Sequence, residues 1–184
     1  MAKIAIYGGT FDPIHKGHLH VIEQVISRGI ADRILIIPAG QPLLREAQPV
    51  ASGAERRAMC VQALADLPSE IAKKVEVNPI EILRSGPSYA IDTVDAVAQT
   101  YPDDEILLIV GTDAFAKIEQ WHRSVELQDK VDFIVIDRPE FPGDATIDIG
   151  ALNISATQIR AGELDALSPH VATYIKEHNL YASK

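Results

Sequence analysis

The sequence is poor in several residue types, and each shortage excludes something. Cys60 is the only cysteine, so no disulfide can form within the chain and a reducing compartment is the simpler setting. Cys60 lies in a helical pattern with no histidine close in sequence, which makes it a weak candidate for a catalytic thiol. Positive charge is also short: 17 Lys and Arg against 26 Asp and Glu leave a net charge of −9. That balance argues against a nucleic-acid surface, which needs a basic patch. It leaves room for a small anionic substrate, because a local cationic site can oppose the global sign. No apolar run is long enough to cross a membrane, and the N-terminus runs directly into a strand pattern, leaving no room for a secretory leader. Internal repeats, low-complexity tracts and linkers are lacking too. These absences predict a soluble, cytoplasmic single domain spanning residues 1–184, with no nucleic-acid or membrane partner.

What is present begins with 184 residues that are 47% hydrophobic, enough for one full core. The most informative stretch is Gly8-Gly9-Thr10-Phe11-Asp12-Pro13-Ile14-His15-Lys16-Gly17-His18-Leu19. It starts where the apolar run Ile4–Tyr7 stops and ends where a helical pattern begins. Two glycines, an aspartate and a proline forbid continuation of a strand or a helix. Strand, tight loop and helix N-terminus together make the local geometry of a phosphate cradle, with amides converging on one spot. His15 and His18, three apart, can share one face and reach the same anion.

Along the rest of the chain, apolar runs at Arg33–Ile37, Val75–Leu83, Glu105–Val110 and Phe133–Ile136 read as strands. The third is interrupted by Asn78-Pro79, and Thr146–Ile149 reads as a short last strand. Helical patterns cover Gly17–Arg28, Gly53–Leu67, Tyr89–Thr100, part of Gly111–Gln120, and Pro169–His178. Alternating strands and helices predict an α/β fold, a Rossmann-like doubly wound parallel sheet with helices on both faces. Ligands of such sheets sit beyond the carboxyl ends of the strands.

Four more stretches bear on that edge. Pro38 to Arg45 places a cation, Arg45, after the second strand. Gly111-Thr112-Asp113 follows the fourth, where Asp113 can accept ribose hydroxyls or cap a helix. Trp121, the only tryptophan, has polar neighbours, which suits a stacking platform as well as a core position. Ile154 to Arg160 reads as a helix start with Ser155 as cap. Its Thr157 and Arg160 offer a second anion site.

GTFDP followed by HKGH resembles the signature of the HxGH nucleotidyltransferases, which transfer AMP or CMP from a triphosphate. Adding IIPAGQP, GPSYAIDTV, IVGTDAF with WHR after it, ISATQIR and VATYIKEHNLY, nearly the whole chain resembles the bacterial nicotinate-nucleotide adenylyltransferases of NAD biosynthesis. The resemblance implies transfer of AMP from ATP to nicotinate mononucleotide by direct in-line attack, with Mg²⁺ bound with ATP and no metal site on the protein. It implies catalytic roles for His15, His18 and Arg160. ATP would be held by Gly8, Gly9, Thr10, Phe11, His15, His18, Arg45, Gly111, Asp113, Ser155, Thr157 and Arg160. Nicotinate mononucleotide would be held by Arg45, Ala90, Thr93, Trp121 and His122, with Trp121 stacking on the ring.

Two departures stand out. Ala90 occupies a place where the family often has Thr, so only a backbone contact survives there. The segment between Arg138-Pro139 and Ile154 is short for the family, which bears on any homo-oligomer contact at that edge. Competing readings are a phosphopantetheine adenylyltransferase, a cytidylyltransferase (whose RTEG-like segment is absent), and a non-catalytic nucleotide-binding module, which would be expected to lack a motif histidine.

Overall fold

A computed structural model describes residues 1–41 and 47–182. Apolar, largely β-branched segments form β1 (Lys3–Gly9), β2 (Arg33–Pro38), β3 (Val75–Val77), β4 (Glu105–Gly111) and β5 (Asp132–Ile136). Every pairing among them is parallel, in the order β3-β2-β1-β4-β5. The intervening helices are α1 (Lys16–Ser27), α2 (Gly53–Leu64), α3 (Ser69–Ala72), α4 (Ile80–Leu83) and α5 (Ala90–Thr100). They are followed by α6 (Thr112–Phe115), α7 (Ser124–Lys130), α8 (Ala156–Arg160) and α9 (Pro169–Glu177).

Strand alternation sorts the core into two layers. Ala5, Ile34, Ile36, Leu107 and Ile109 face Ile22 and Val25 of α1, Met59 and Cys60 of α2, and Val171 of α9. Ile4, Ile6, Leu35, Ile37 and Leu108 face Ile91 and Val94 of α5 and Leu127 of α7. Both layers share one sheet, so this is the predicted single-domain α/β, Rossmann-like architecture. β1 pairs on one side with β2 and on the other with β4, so the strand order reverses between β1 and β4. A crevice opens there at the carboxyl ends. Among the described residues no helix is long and apolar enough to cross a membrane.

Two strand expectations are corrected. β3 ends at Val77, and the apolar residues after it form α4. The Asn78 side chain accepts the Ile80 N–H at 3.0 Å, so Asn78-Pro79 redirects the chain rather than interrupting a strand. Thr146–Ile149 forms only an isolated bridge between Ile136 and Ile147. Helix α7 was hidden because SVELQDK buries only Ser124 and Leu127. Surface ion pairs of Arg123 and Lys130 with Asp95 and Glu126 accompany it instead of an apolar stripe.

Candidate active site

The turn after β1 is held from beneath. Arg56 of α2 is 1% exposed, and its guanidinium donates to the carbonyls of Ala51 (3.3 Å), Thr10 (2.8 Å) and Ala39 (2.7 Å). One buried cation thus ties together the turn after β1, the turn after β2 and the approach to α2. The Asp12 carboxylate, 2% exposed, accepts the N–H groups of Val50 (2.8 Å) and Ala51 (3.0 Å) and the Tyr181 hydroxyl (2.7 Å). The carbonyl of Asp12 receives Nη1 of Arg160 at 2.6 Å.

His15 and His18 serve as the N-terminal cap of α1. Nδ1 of His15 accepts the Gly17 N–H and Nδ1 of His18 accepts the His15 N–H, each at 3.1 Å. With Nδ1 an acceptor, each neutral ring carries its proton on Nε2. The rings stack with centroids 3.7 Å apart. Gly17 leaves room for this stacking, because a Cβ there would crowd the His15 ring at 3.0 Å. Burial, and secondarily the nearby Arg138 guanidinium, push the His15 imidazole down to about 4. His15 is therefore a neutral N–H donor at pH 7.

Both histidines line a cleft of about 470 Å³ together with Thr10, Asp113, Arg138, Ser155 and Thr157. Arg138, just past β5, lays its aliphatic stem over Gly111; a Cβ on that glycine would meet Arg138 Cγ at 3.1 Å. Thr112 fixes the Arg138 backbone by accepting its N–H at 3.1 Å, and donates to the Phe141 carbonyl at 2.6 Å. Arg160 reaches Thr157 Oγ1 at 3.2 Å. Amides, neutral imidazoles, hydroxyls and guanidinium groups form a donor set suited to phosphate oxygens.

A second cavity of about 480 Å³ adjoins the cleft and shares Gly8, Gly9, Thr10 and Trp121 with it. Its walls are largely aromatic and apolar. Tyr89 and His122 stack with centroids 4.2 Å apart, and Trp121 rests partly on the second core layer. Helix α5 opens on this cavity at Ala90 without a side-chain cap, leaving its first N–H groups for a ligand or water. In the cavity wall, the Thr93 hydroxyl donates to Glu81 at 2.7 Å. Burial raises the Glu81 carboxyl above its ordinary range.

A profile of the cytidylyltransferase-like family matches residues 6–162. A Bacillus pumilus protein named a probable nicotinate-nucleotide adenylyltransferase is 34% identical, with the alignment covering 100% of each chain. A like-named Solibacter usitatus protein is 36% identical, over 97% of this chain and 99% of its own. The chain belongs to the cytidylyltransferase-like family, among the nicotinate-nucleotide adenylyltransferases. The Plasmodium falciparum nicotinic acid mononucleotide adenylyltransferase complexed with NaAD superposes with a TM-score of 0.84 over 98% of both chains. At 23% identity this is a likeness of fold.

Most residues that the family resemblance singled out meet at this crevice. Gly8, Gly9, Thr10, Phe11, His15, His18, Gly111, Asp113, Ser155 and Thr157 line the cleft, and Ala90, Thr93, Trp121 and His122 line the adjoining cavity. Arg160 is not among the lining residues, but it donates to the Asp12 carbonyl and to Thr157 Oγ1 of the cleft. Arg45 lies outside the described residues. Three differ in detail from expectation. Ser155 stands at the N-cap of α8 but its side chain makes no capping bond. Asp113 is inside α6 rather than its cap. The Thr93 hydroxyl proton is engaged by Glu81. Sequence reading missed Arg56, Arg138 and Glu81. Arg56 left a signal: it shares a helical face with Met59, Cys60 and Ala63, all buried, and a charge on an apolar stripe must be satisfied inside. Cys60 is inert, its thiol raised by burial.

Proposed function

We propose that this protein transfers AMP from ATP to nicotinate mononucleotide, forming deamido-NAD and pyrophosphate. The observation that carries the reading is the junction of the two cavities at Gly9 and Thr10. A donor-lined cleft for a triphosphate and an aromatic cavity for a flat ring meet where two phosphates would react. The full-length relatives carrying that activity in their names point the same way.

The chemistry follows from the reactants. The nucleophile is a phosphate monoester whose second pKa near ~6 leaves it largely ionised at pH 7, so no base is needed. An oxygen of the mononucleotide phosphate attacks the α-phosphorus, a new P–O–P linkage forms, and the Pα–O bond to pyrophosphate breaks with its electron pair. Repulsion between anions and loss of freedom are the obstacles, so positioning and donated hydrogen bonds dominate. His15 and His18 donate from Nε2 to the oxygens around the α-phosphorus. Arg160, Thr157 and Ser155 steady the outgoing pyrophosphate, with Arg45 as a further cation. Asp113 accepts from the ribose. Trp121 covers one face of the nicotinate ring, whose carboxylate meets the N–H groups at Ala90 and His122. Arg138, over Gly111, adds positive charge beside His15. Mg²⁺ would enter bound to the phosphates of ATP, which supply its oxygen ligands, and would offset their charge. A free, buried Cys60 suits a cytoplasmic setting.

The test is pyrophosphate release from MgATP with nicotinate or nicotinamide mononucleotide. Strong preference for the acid supports the reading, and equal use removes the specificity. Release only with phosphopantetheine replaces it.

A further inference from the structure

The tail beyond α9 returns to the phosphate turn. Helix α9 ends with the Leu180 N–H on the Ile175 carbonyl at 3.0 Å and Asn179 at φ +51°, a left-handed stop that reverses the chain. Tyr181 follows at φ +59°, a conformation that a bulky side chain adopts only when its surroundings hold it there. Two contacts hold it: the ring packs on the first core layer, and the hydroxyl donates to Asp12 Oδ1 at 2.7 Å across 169 residues. Burial, then the bond to Asp12, raise the phenol well above its ordinary range, so it is a permanent donor at neutral pH.

We propose that Tyr181 is a positioning residue for the phosphate turn, acting through the Asp12 carboxylate. Asp12 is the pivot between three segments. Its carboxylate grips Val50 and Ala51 ahead of α2, its carbonyl receives Arg160, and three residues on stands His15. The Tyr181 hydroxyl shares Oδ1 with the Ala51 N–H. Without it, that buried oxygen keeps one strong donor, and the carboxylate is free to shift toward Arg160, whose Nη1 is 3.9 Å from Oδ2. Such a shift moves the triphosphate side of the crevice. It leaves the Tyr89, Trp121 and His122 cavity alone, since none of those side chains contacts Asp12 or Tyr181 through a bond of this network.

This inference rests on the adenylyltransferase reading, and the experiment separates the two. Tyr181→Phe keeps the ring and removes only the donor. The expected result is a fall in kcat and a rise in KM for ATP, together about tenfold in kcat/KM. KM for nicotinate mononucleotide should be unchanged. Binding of a non-hydrolysable ATP analogue, measured by calorimetry, should weaken in parallel, and that readout needs no turnover. In a cycle with Asp12→Asn, the double variant should match Asp12→Asn alone. Additive losses, equal changes in both KM values, wild-type constants, or loss of the folded state in Tyr181→Phe would each overturn the proposal. Wild-type protein that binds the analogue but turns over neither mononucleotide would overturn the function reading instead.

Discussion

His15 and His18 cap the same turn of α1 reciprocally, each ring accepting a backbone N–H through Nδ1. The capping role and the proposed catalytic role therefore use opposite sides of each imidazole, and substitution can separate them. His18→Ala loses both, with about 1 kcal/mol of stability and most of the turnover. His18→Gln retains an acceptor at the third helical position, as in an ordinary capping box. It should recover the stability without recovering the rate. Urea unfolding beside pyrophosphate-release kinetics checks this, and equal recovery of both would remove His18 from the chemistry.

His15 also makes stability depend on pH. Its folded-state imidazole is depressed to about 4, against about 6.5 in an unfolded chain. Between those values the unfolded state binds the extra proton, so stability is full above about pH 6.5 and falls as pH drops toward 4. The loss attributable to this one group is on the order of 3 kcal/mol. His15→Asn keeps a good N-cap and does not titrate. Its unfolding midpoint should fall less steeply than that of the wild type between pH 6.5 and 4.5. Parallel slopes would show that His15 is not held neutral.

Arg56 supports three turns from inside, so its loss is a structural event with a kinetic shadow. Arg56→Met leaves the carbonyls of Thr10, Ala39 and Ala51 without these donors and should cost about 3 kcal/mol or more. That corresponds to a drop of roughly 10 °C in Tm. Arg56→Lys keeps the charge but not the fork and should fall between. Thermal unfolding of the two variants, followed by KM for ATP on whatever remains folded, tests the role.

Legibility in the sequence followed the kind of physics involved. The strands were plain because Ile4–Tyr7, Arg33–Ile37 and Glu105–Val110 are buried on both faces and read as unbroken apolar runs. The phosphate turn was plain because its breakers are local. α7 was not, because its outward face meets Asp95 in ion pairs that no periodicity records. The partners of Asp12 lie 38, 39 and 169 residues away, so its hub role exists only once the sheet has brought them together. Arg138 has no motif of its own in the sequence, and its place in the crevice shows only in the fold, where it lines the cleft and passes over Gly111.

Trp121 stands at the boundary between the core and the site. One side rests on the second core layer, while the residue lines both the cleft and the adjoining cavity. Its indole Nε1 is buried without a hydrogen-bond partner among the described residues. A residue with one face in the core should show a mixed phenotype when truncated. Trp121→Ala is expected to weaken nicotinate mononucleotide by about 1 kcal/mol or more, the contribution of a stacked ring. It should leave ATP binding nearly unchanged and lower stability moderately through the cavity left against the core. Trp121→Phe restores most of the packing and a smaller stacking surface. It should therefore recover stability more fully than mononucleotide affinity. Calorimetric titration of each substrate, alongside thermal unfolding, distinguishes the cases. If both substrates weaken equally, or if affinity tracks stability across the two variants, Trp121 belongs to the core alone and the nicotinate ring lies elsewhere in the cavity.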